Sequence, residues 1–191
     1  MIKVAIVIGS TRPGRNGEGV ARWVHDLAAR RDDAAFEIVD LRDYDLPHLD
    51  EPMPPAMGQY EHPHTMAWAE KIASFDAYVF VTPEYNRSIS GALKNAIDFL
   101  HAEWANKAAG FVGYGSVGGT RAVEHLRLVL GELQIAVVSS QVALTLAADF
   151  EHFSVARPAS HQAGRLTAML DQLIPWAGAM KALRSDAVPS S

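Results

Sequence analysis

The sequence contains no cysteine. Disulfides, thiolate catalysis, iron–sulfur clusters and cysteine-based zinc sites are thereby excluded. It has no apolar run approaching ~20 residues, so nothing in it is built to span a bilayer as a helix. It also lacks an excess of positive charge. The 17 Lys and Arg face 22 Asp and Glu, a net charge of −5, which argues against generic nucleic-acid or anionic-membrane binding. Internal repeats and low-complexity segments are missing as well. No basic stretch or cleavage site precedes the first apolar run at Ile2, so a cytoplasmic protein is expected. The 191 residues, 49 % of them hydrophobic, suit one domain with a sizeable core, expected over 1–183, with a polar, frayed tail over 184–191.

What is present is a distinctive stretch after that first run: Val7-Ile8-Gly9-Ser10-Thr11-Arg12-Pro13-Gly14-Arg15-Asn16-Gly17-Glu18. A strand, a Gly- and hydroxyl-rich loop and then a helix form an anion site, because backbone N–H groups and the helix dipole converge on one point. Arg12 and Arg15 add two permanent charges suited to bidentate phosphate contacts. The stretch is not a Walker loop. Gly9 and Gly14 have the spacing, but Arg15-Asn16 replaces the required Lys-Ser/Thr. It is not a dinucleotide fingerprint either, since Arg22 stands where the third Gly belongs. Asp40 reads as an ordinary strand-end carboxylate rather than a ribose ligand. A cradle for one monophosphate is expected.

The rest of the chain alternates. Val20, Trp23, Val24, Leu27 and Ala28 mark one helical face, and 36–40 a second strand. Residues 41–64 carry five prolines, which forbid a regular element there. Loops of that length are functional or covered by a partner. His62 and His64 within it have no Cys or carboxylate pair to complete a metal site, and no metal is expected. Thr65 is expected to cap a helix that buries Met66, Ala69 and Ala73, with Trp68 and Ile72 alongside. Ala77–Thr82 and Ala108–Tyr114 are nearly continuous apolar strands, as for parallel strands covered on both faces. Each is followed by a loop and a helix. A fifth strand is expected over 135–138, then an ambiguous 139–158, then a final amphipathic helix with a kink at Pro175. Five strands alternating with helices predict an α/β doubly wound parallel sheet of order 2-1-3-4-5, with its ligand crevice where strands one and three end.

Three loops then share one edge of the sheet. The first is the phosphate cradle. The second runs from Pro83 through Glu84, Tyr85 and Asn86. The third is Gly115-Ser116-Val117-Gly118-Gly119, whose glycines let backbone approach a flat ligand. A phosphate at one end and a planar group between backbone-rich loops fit FMN, whose hydride chemistry needs no separate catalytic acid or base. At these residues the sequence resembles the NADPH-dependent FMN reductases and the quinone, azo and chromate reductases of the flavodoxin-like superfamily. The resemblance is carried by Gly9-Ser10-Thr11-Arg12, by Pro83-Glu84-Tyr85-Asn86 continuing into Gly91-Ala92-Leu93-Lys94-Asn95-Ala96-Ile97-Asp98, and by Tyr114-Gly115-Ser116-Val117-Gly118-Gly119-Thr120-Arg121-Ala122.

The resemblance implies non-covalent FMN. Ser10, Arg12, Asn16 and Gly17 hold its phosphate with Gly9 and Thr11 beside them. Pro83 to Asn86 lie along the ring system, and Tyr114 to Gly119 face its other edge. It implies NADPH or NADH as donor, a small-molecule acceptor such as a quinone, azo compound, metal oxyanion or free flavin, and a homodimer or homotetramer. The sequence departs from the family pattern at Asn16, where many members have Ser, and at Ser90, where many have Pro and where a looser turn is expected. Two other readings stand beside the reductase. One is an FMN-binding redox sensor or carrier acting through a protein partner. The other is a serine hydrolase using Ser116, with His152 or His161 as base.

Overall fold

The computed structural model describes residues 1–186. The central sheet has the order β2-β1-β3-β4-β5, all neighbours parallel. Its strands are β1 (Ile2–Ile8), β2 (Ala34–Asp40), β3 (Ala77–Pro83), β4 (Ala108–Gly115) and β5 (Ala136–Thr145). Between them run α1 (Gly17–Ala28), α2 (Pro63–Ala73), α3 (Gly91–Asp98) and α4 (Thr120–Glu132). This is the doubly wound, flavodoxin-like arrangement expected from the alternation.

Strand period 2 sends successive side chains to opposite faces, and each face has its own core. Ala5, Val7, Phe80 and Phe111 pack with Trp68 of α2, Leu93 and Ile97 of α3, Leu126 of α4, and Trp104 from the α3–β4 connection. Val4, Ile6, Val79 and Val112 pack with Val20 and Val24 of α1 and with Leu166, Met169 and Leu173 of a long final helix, α6 (Ser160–Asp186). All seven residues of β3 are buried, which is why it reads as an unbroken apolar run. Both buried indoles are satisfied: Trp68 donates to the Ala96 carbonyl (2.8 Å) and Trp104 to that of Ile97 (3.1 Å).

Several expectations need correction. Thr65 is buried inside α2 rather than capping it, and Met66 points outward while Trp68, Ala69 and Ile72 are buried. The fifth strand runs seven residues past Val138. It skips register between Ala109↔Val137 and Phe111↔Gln141, and Arg127 fills that irregularity by donating to the Val138 (2.7 Å) and Ser139 (3.2 Å) carbonyls. The ambiguous stretch becomes a one-turn helix α5 (Leu146–Asp149) and a hairpin of β6 (Phe150–Glu151) and β7 (Val155–Ala156). α6 continues to Asp186, past the point where fraying was expected, because Arg184 donates to the Asn106 carbonyl and pairs with Asp76 at 2.7 Å. Residues 187–191 of the expected tail lie outside the described residues. No helix among the described residues is long and apolar enough to cross a membrane.

Lys107 is a buried amine at the sheet's amino-terminal end, opposite the three loops. Its Nζ donates to the Ile72 carbonyl (2.8 Å), the Ala73 carbonyl (3.2 Å) and the Tyr78 hydroxyl (2.9 Å), closing the carboxyl end of α2. Burial, then the nearby Arg184, lower its pKa to about 7. Between pH 7 and 10 the unfolded chain therefore holds a proton that the folded chain releases, so this group's contribution to stability rises with pH. Above that window burial of the Tyr78 phenol, which raises its pKa, works in the opposite direction. Urea titrations at pH 7 and 9.5 should show wild type gaining stability relative to Lys107→Met. A constant difference would mean that Lys107 keeps its proton throughout.

Candidate functional site

The carboxyl ends of β1, β3 and β4 open onto one edge, and the three loops meet there. In the first, Gly9 is tied to β3 by its N–H to the Val81 carbonyl (2.9 Å). Ser10 is fully buried, its hydroxyl 2.9 Å from the Tyr85 hydroxyl and accepting from the Arg12 N–H (3.3 Å). Arg12 Nε donates to the same Tyr85 hydroxyl at 3.3 Å. A backbone N–H, a guanidinium and two hydroxyls thus converge from loops 73 to 75 residues apart in sequence. This cationic, hydroxyl-rich donor set is what a phosphate monoester requires. Tyr85 joins that end of the site, whereas the sequence placed it only along a ring system.

The two arginines of the loop part company. Arg15 is buried and its guanidinium is consumed internally. It pairs with Glu18 (2.8 Å) and Asp40 and donates to the Ser10 carbonyl. Asp40 is therefore a counter-ion that shapes the loop. Arg12, exposed, is the cation left facing the cleft. Gly17 opens α1 beneath the loop. A Cβ there would lie 2.9 Å from the Tyr114 hydroxyl and 3.1 Å from Ile8, so only glycine permits this approach. Burial raises the pKa of the Tyr114 phenol, which therefore stays protonated near neutrality.

In the second loop Tyr85 and Ser88 exchange backbone hydrogen bonds (2.9 and 3.0 Å) around Asn86 (φ 49°) and Arg87 (φ 70°). Positive φ at both central residues is the signature of a type I′ turn, which favours Asn then Gly. Arg87 is the strained member. Arg87→Gly should stabilise the fold by about 1 kcal/mol, read as a higher urea midpoint with unchanged m-value. Glu84 reaches the third loop: its carboxylate pairs with the Arg121 side chain and accepts the Arg121 N–H (3.2 Å) in the first turn of α4. Ser90 tightens the following turn instead of loosening it. Its hydroxyl donates to the Gly9 carbonyl and accepts from Leu93 N–H (3.1 Å), capping α3.

A cleft of ≈ 150 Å³ runs between these loops, lined by Arg12, Asn16, Pro83, Glu84, Tyr85, Tyr114, Gly115, Ser116 and Leu146. Thr11 borders a separate hollow with Leu41 and Arg42. Asn86 is exposed at its turn, and Gly118 and Gly119 are buried behind the third loop. Asn16 donates its side-chain amide to the Phe153 carbonyl (2.9 Å). Leu146 and the 150–156 hairpin border the site, and the sequence carried no periodic signal for either. Among the described residues no histidine hydrogen-bonds Ser116. His152 lies 4.0 Å from Glu151, and His125 instead bonds Ser88 (3.0 Å). The hydrolase reading thus has no base in place. His62 and His64 stack at 5.2 Å between ring centroids, with Asp50 3.0 Å from His64.

A 2-1-3-4-5 sheet whose first βα loop gathers a guanidinium and hydroxyls beside two backbone-rich loops defines a flavodoxin-like arrangement with its crevice at the switch point. The comparisons take the assignment further. Residues 2–149 match the NADPH-dependent FMN reductase family, and the chain belongs to that family of oxidoreductases. It is 41 % identical over 164 residues to the NAD(P)H-dependent FMN reductase ntnL of Nectria sp., covering 81 % of this chain and 80 % of the relative. It is also 41 % identical over 149 residues to the NAD(P)H-dependent FMN reductase C4B3.06c of Schizosaccharomyces pombe, covering 77 % and 74 %. Among solved structures its fold is similar to FerB, a flavoenzyme NAD(P)H:(acceptor) oxidoreductase from Paracoccus denitrificans. The TM-score is 0.72 at 24 % identity, covering 94 % and 99 % of the two chains.

Proposed function

We propose that this cleft holds FMN and that the protein transfers reducing equivalents from NADPH or NADH to a small-molecule acceptor. The observation that carries the reading is the convergence of Ser10 Oγ, the Arg12 N–H and guanidinium and the Tyr85 hydroxyl on one point beside the amino terminus of α1. The residues present fit the group. Arg12 supplies the only guanidinium of the first loop left free by its internal ion pairs, and the glycine-rich third loop leaves backbone bare along the opposite wall. Bound FMN would supply two-electron chemistry between nicotinamide and acceptor.

The chain's own residues bind and orient. Ser10, Arg12 and Tyr85 would fix the phosphate, with the α1 dipole aiding them. Pro83–Glu84 and Gly115–Ser116 would flank the planar part. The Glu84–Arg121 pair locks the second loop to the third, which holds the cleft's width. Acceptors of the quinone class fit this reading, since a 2-hydroxy-1,4-benzoquinone reductase and quinone reductases are among the relatives. A homodimer or homotetramer belongs to this proposal. Exposed Leu128 lines a hollow of ≈ 500 Å³ along α3 and α4, and Pro54, Pro55 and Ala56 of the Pro-rich 41–64 stretch line a second one of ≈ 410 Å³. A cytoplasmic setting follows from dependence on reduced nicotinamide.

The deciding experiment is an absorbance spectrum of desalted protein after mixing with FMN, followed by anaerobic NADPH or NADH. Retained flavin near equal stoichiometry that bleaches with a nicotinamide supports the enzyme and names its donor. Retained flavin that bleaches only with a protein partner supports the sensor or carrier. Steady-state kinetics should be ping-pong, because donor and acceptor would use one cleft in turn. Intersecting double-reciprocal lines would count against that.

A further inference from the structure

The hairpin of β6 and β7 is built with unusual care for a surface turn. Its base is fixed by Asp149, a carboxylate only 1 % exposed. That carboxylate accepts from the N–H groups of Thr145 (2.8 Å) and Ala159 (3.0 Å) and from the Gln162 amide (3.3 Å). The Asp149 carbonyl takes the Arg157 N–H at 2.8 Å, and Arg157 and Glu151 pair side by side on the hairpin. A turn closed by Ser154 N–H to the Glu151 carbonyl (3.2 Å) forms the tip. Its two central residues, His152 (φ 50°) and Phe153 (φ 58°), both sit in the left-handed region. Neither is the Asn or Gly such a turn prefers, and strain of this kind persists only where the surroundings fix it.

The strained tip delivers one thing to the phosphate loop: the Phe153 carbonyl, which accepts the Asn16 side-chain amide at 2.9 Å. Asn16 stands at the cap position of α1 yet makes no side-chain cap to that helix. The hairpin rests on the same helix, since a Cβ on Gly19 would come within 3.3 Å of Ala156. The one-turn helix at the hairpin's base contributes Leu146 to the cleft wall. Asn16 therefore joins two structures, the loop that would hold the phosphate and a hairpin anchored by a buried carboxylate.

We infer that Asn16 is a positioning residue that latches the β6–β7 hairpin onto the phosphate loop, and that it does not itself ligate the phosphate. This rests on the reading of the 9–17 loop as the FMN phosphate site. The latch restricts the loop's opening and so slows cofactor loss.

Four comparisons test it. In flavin-free protein, Asn16→Ala should speed hydrogen exchange across 150–156 by about tenfold. FMN should leave that variant roughly 3–10 times faster, the range that one net hydrogen bond supports. In a protein with 152–154 shortened to Gly-Gly, Asn16→Ala should add no further acceleration. If Asn16 left the hairpin to ligate the phosphate, FMN would loosen 150–156; in wild type that exchange should instead stay slow when FMN is added. Unchanged hairpin exchange in the variant, equal acceleration in the shortened protein, or faster 150–156 exchange on adding FMN to wild type would each overturn the latch. Wild type that retains no FMN, while hairpin exchange still responds to Asn16→Ala, would remove the flavin reading and leave the latch standing.

Discussion

Arg12→Ala is expected to raise the dissociation constant for FMN about 100-fold, or about 2.7 kcal/mol. A charge-assisted contact to a phosphate dianion is worth more than a neutral hydrogen bond. No neighbour can stand in. Arg15 has its guanidinium bound to Asp40, Glu18 and the Ser10 carbonyl, and moving it would expose two carboxylates beside the anion. The loss should therefore appear as cofactor release, far more than as slower turnover at saturating FMN. Flavin-fluorescence titration of the apoprotein measures it. Riboflavin, which lacks the phosphate, serves as the control and should bind wild type and variant equally. Unchanged FMN affinity would remove Arg12 from the phosphate site.

The second large effect is structural. Gly119→Ala should destabilise the protein by more than about 3 kcal/mol, because two penalties fall on one residue. The backbone there has φ +67°, and an added Cβ would stand 2.6 Å from the Tyr114 nitrogen and 2.9 Å from the Gly113 carbonyl carbon. Both obstacles are backbone of β4, which is paired on both sides and cannot yield. The displaced loop would carry Gly115 and Ser116 out of the cleft wall, so flavin retention should fall with stability. Gly131→Ala supplies the contrast. It lies in α4 with nothing within 4 Å of the added carbon, and should stabilise by up to about 1 kcal/mol. Urea denaturation of the two variants separates a glycine needed for shape from one that is only tolerated.

The parts of this protein legible in its sequence are those governed by local periodicity. β1, β3 and β4 announce themselves because parallel strands covered on both faces must be apolar at every position. The phosphate loop and the two loops after β3 and β4 are legible because turns demand Gly, Pro, Asn and Ser at particular places. The second half of β5 was hidden because it is an edge strand with Ser139, Ser140 and Gln141 at an irregularity, held by an arginine from α4 rather than by its own pattern. The hairpin was hidden because His152-Phe153 is the wrong chemistry for its turn.

The sequence by itself determined the order of the five parallel strands and the helices between them, the sheet topology, the three-loop edge and the family. Each follows from hydrophobic spacing and short motifs within a dozen residues. The tertiary structure alone decided which side chains meet there. Arg12 and Arg15 are equivalent on paper, yet one faces the cleft and the other is neutralised by Asp40, 25 residues away. Tyr85 meets Ser10 and Arg12 because β1 and β3 are adjacent in the sheet. Asn16 meets the Phe153 carbonyl across 137 residues of chain. Partnerships of that range depend on how the packed layers bring distant backbone together, and no local rule encodes them.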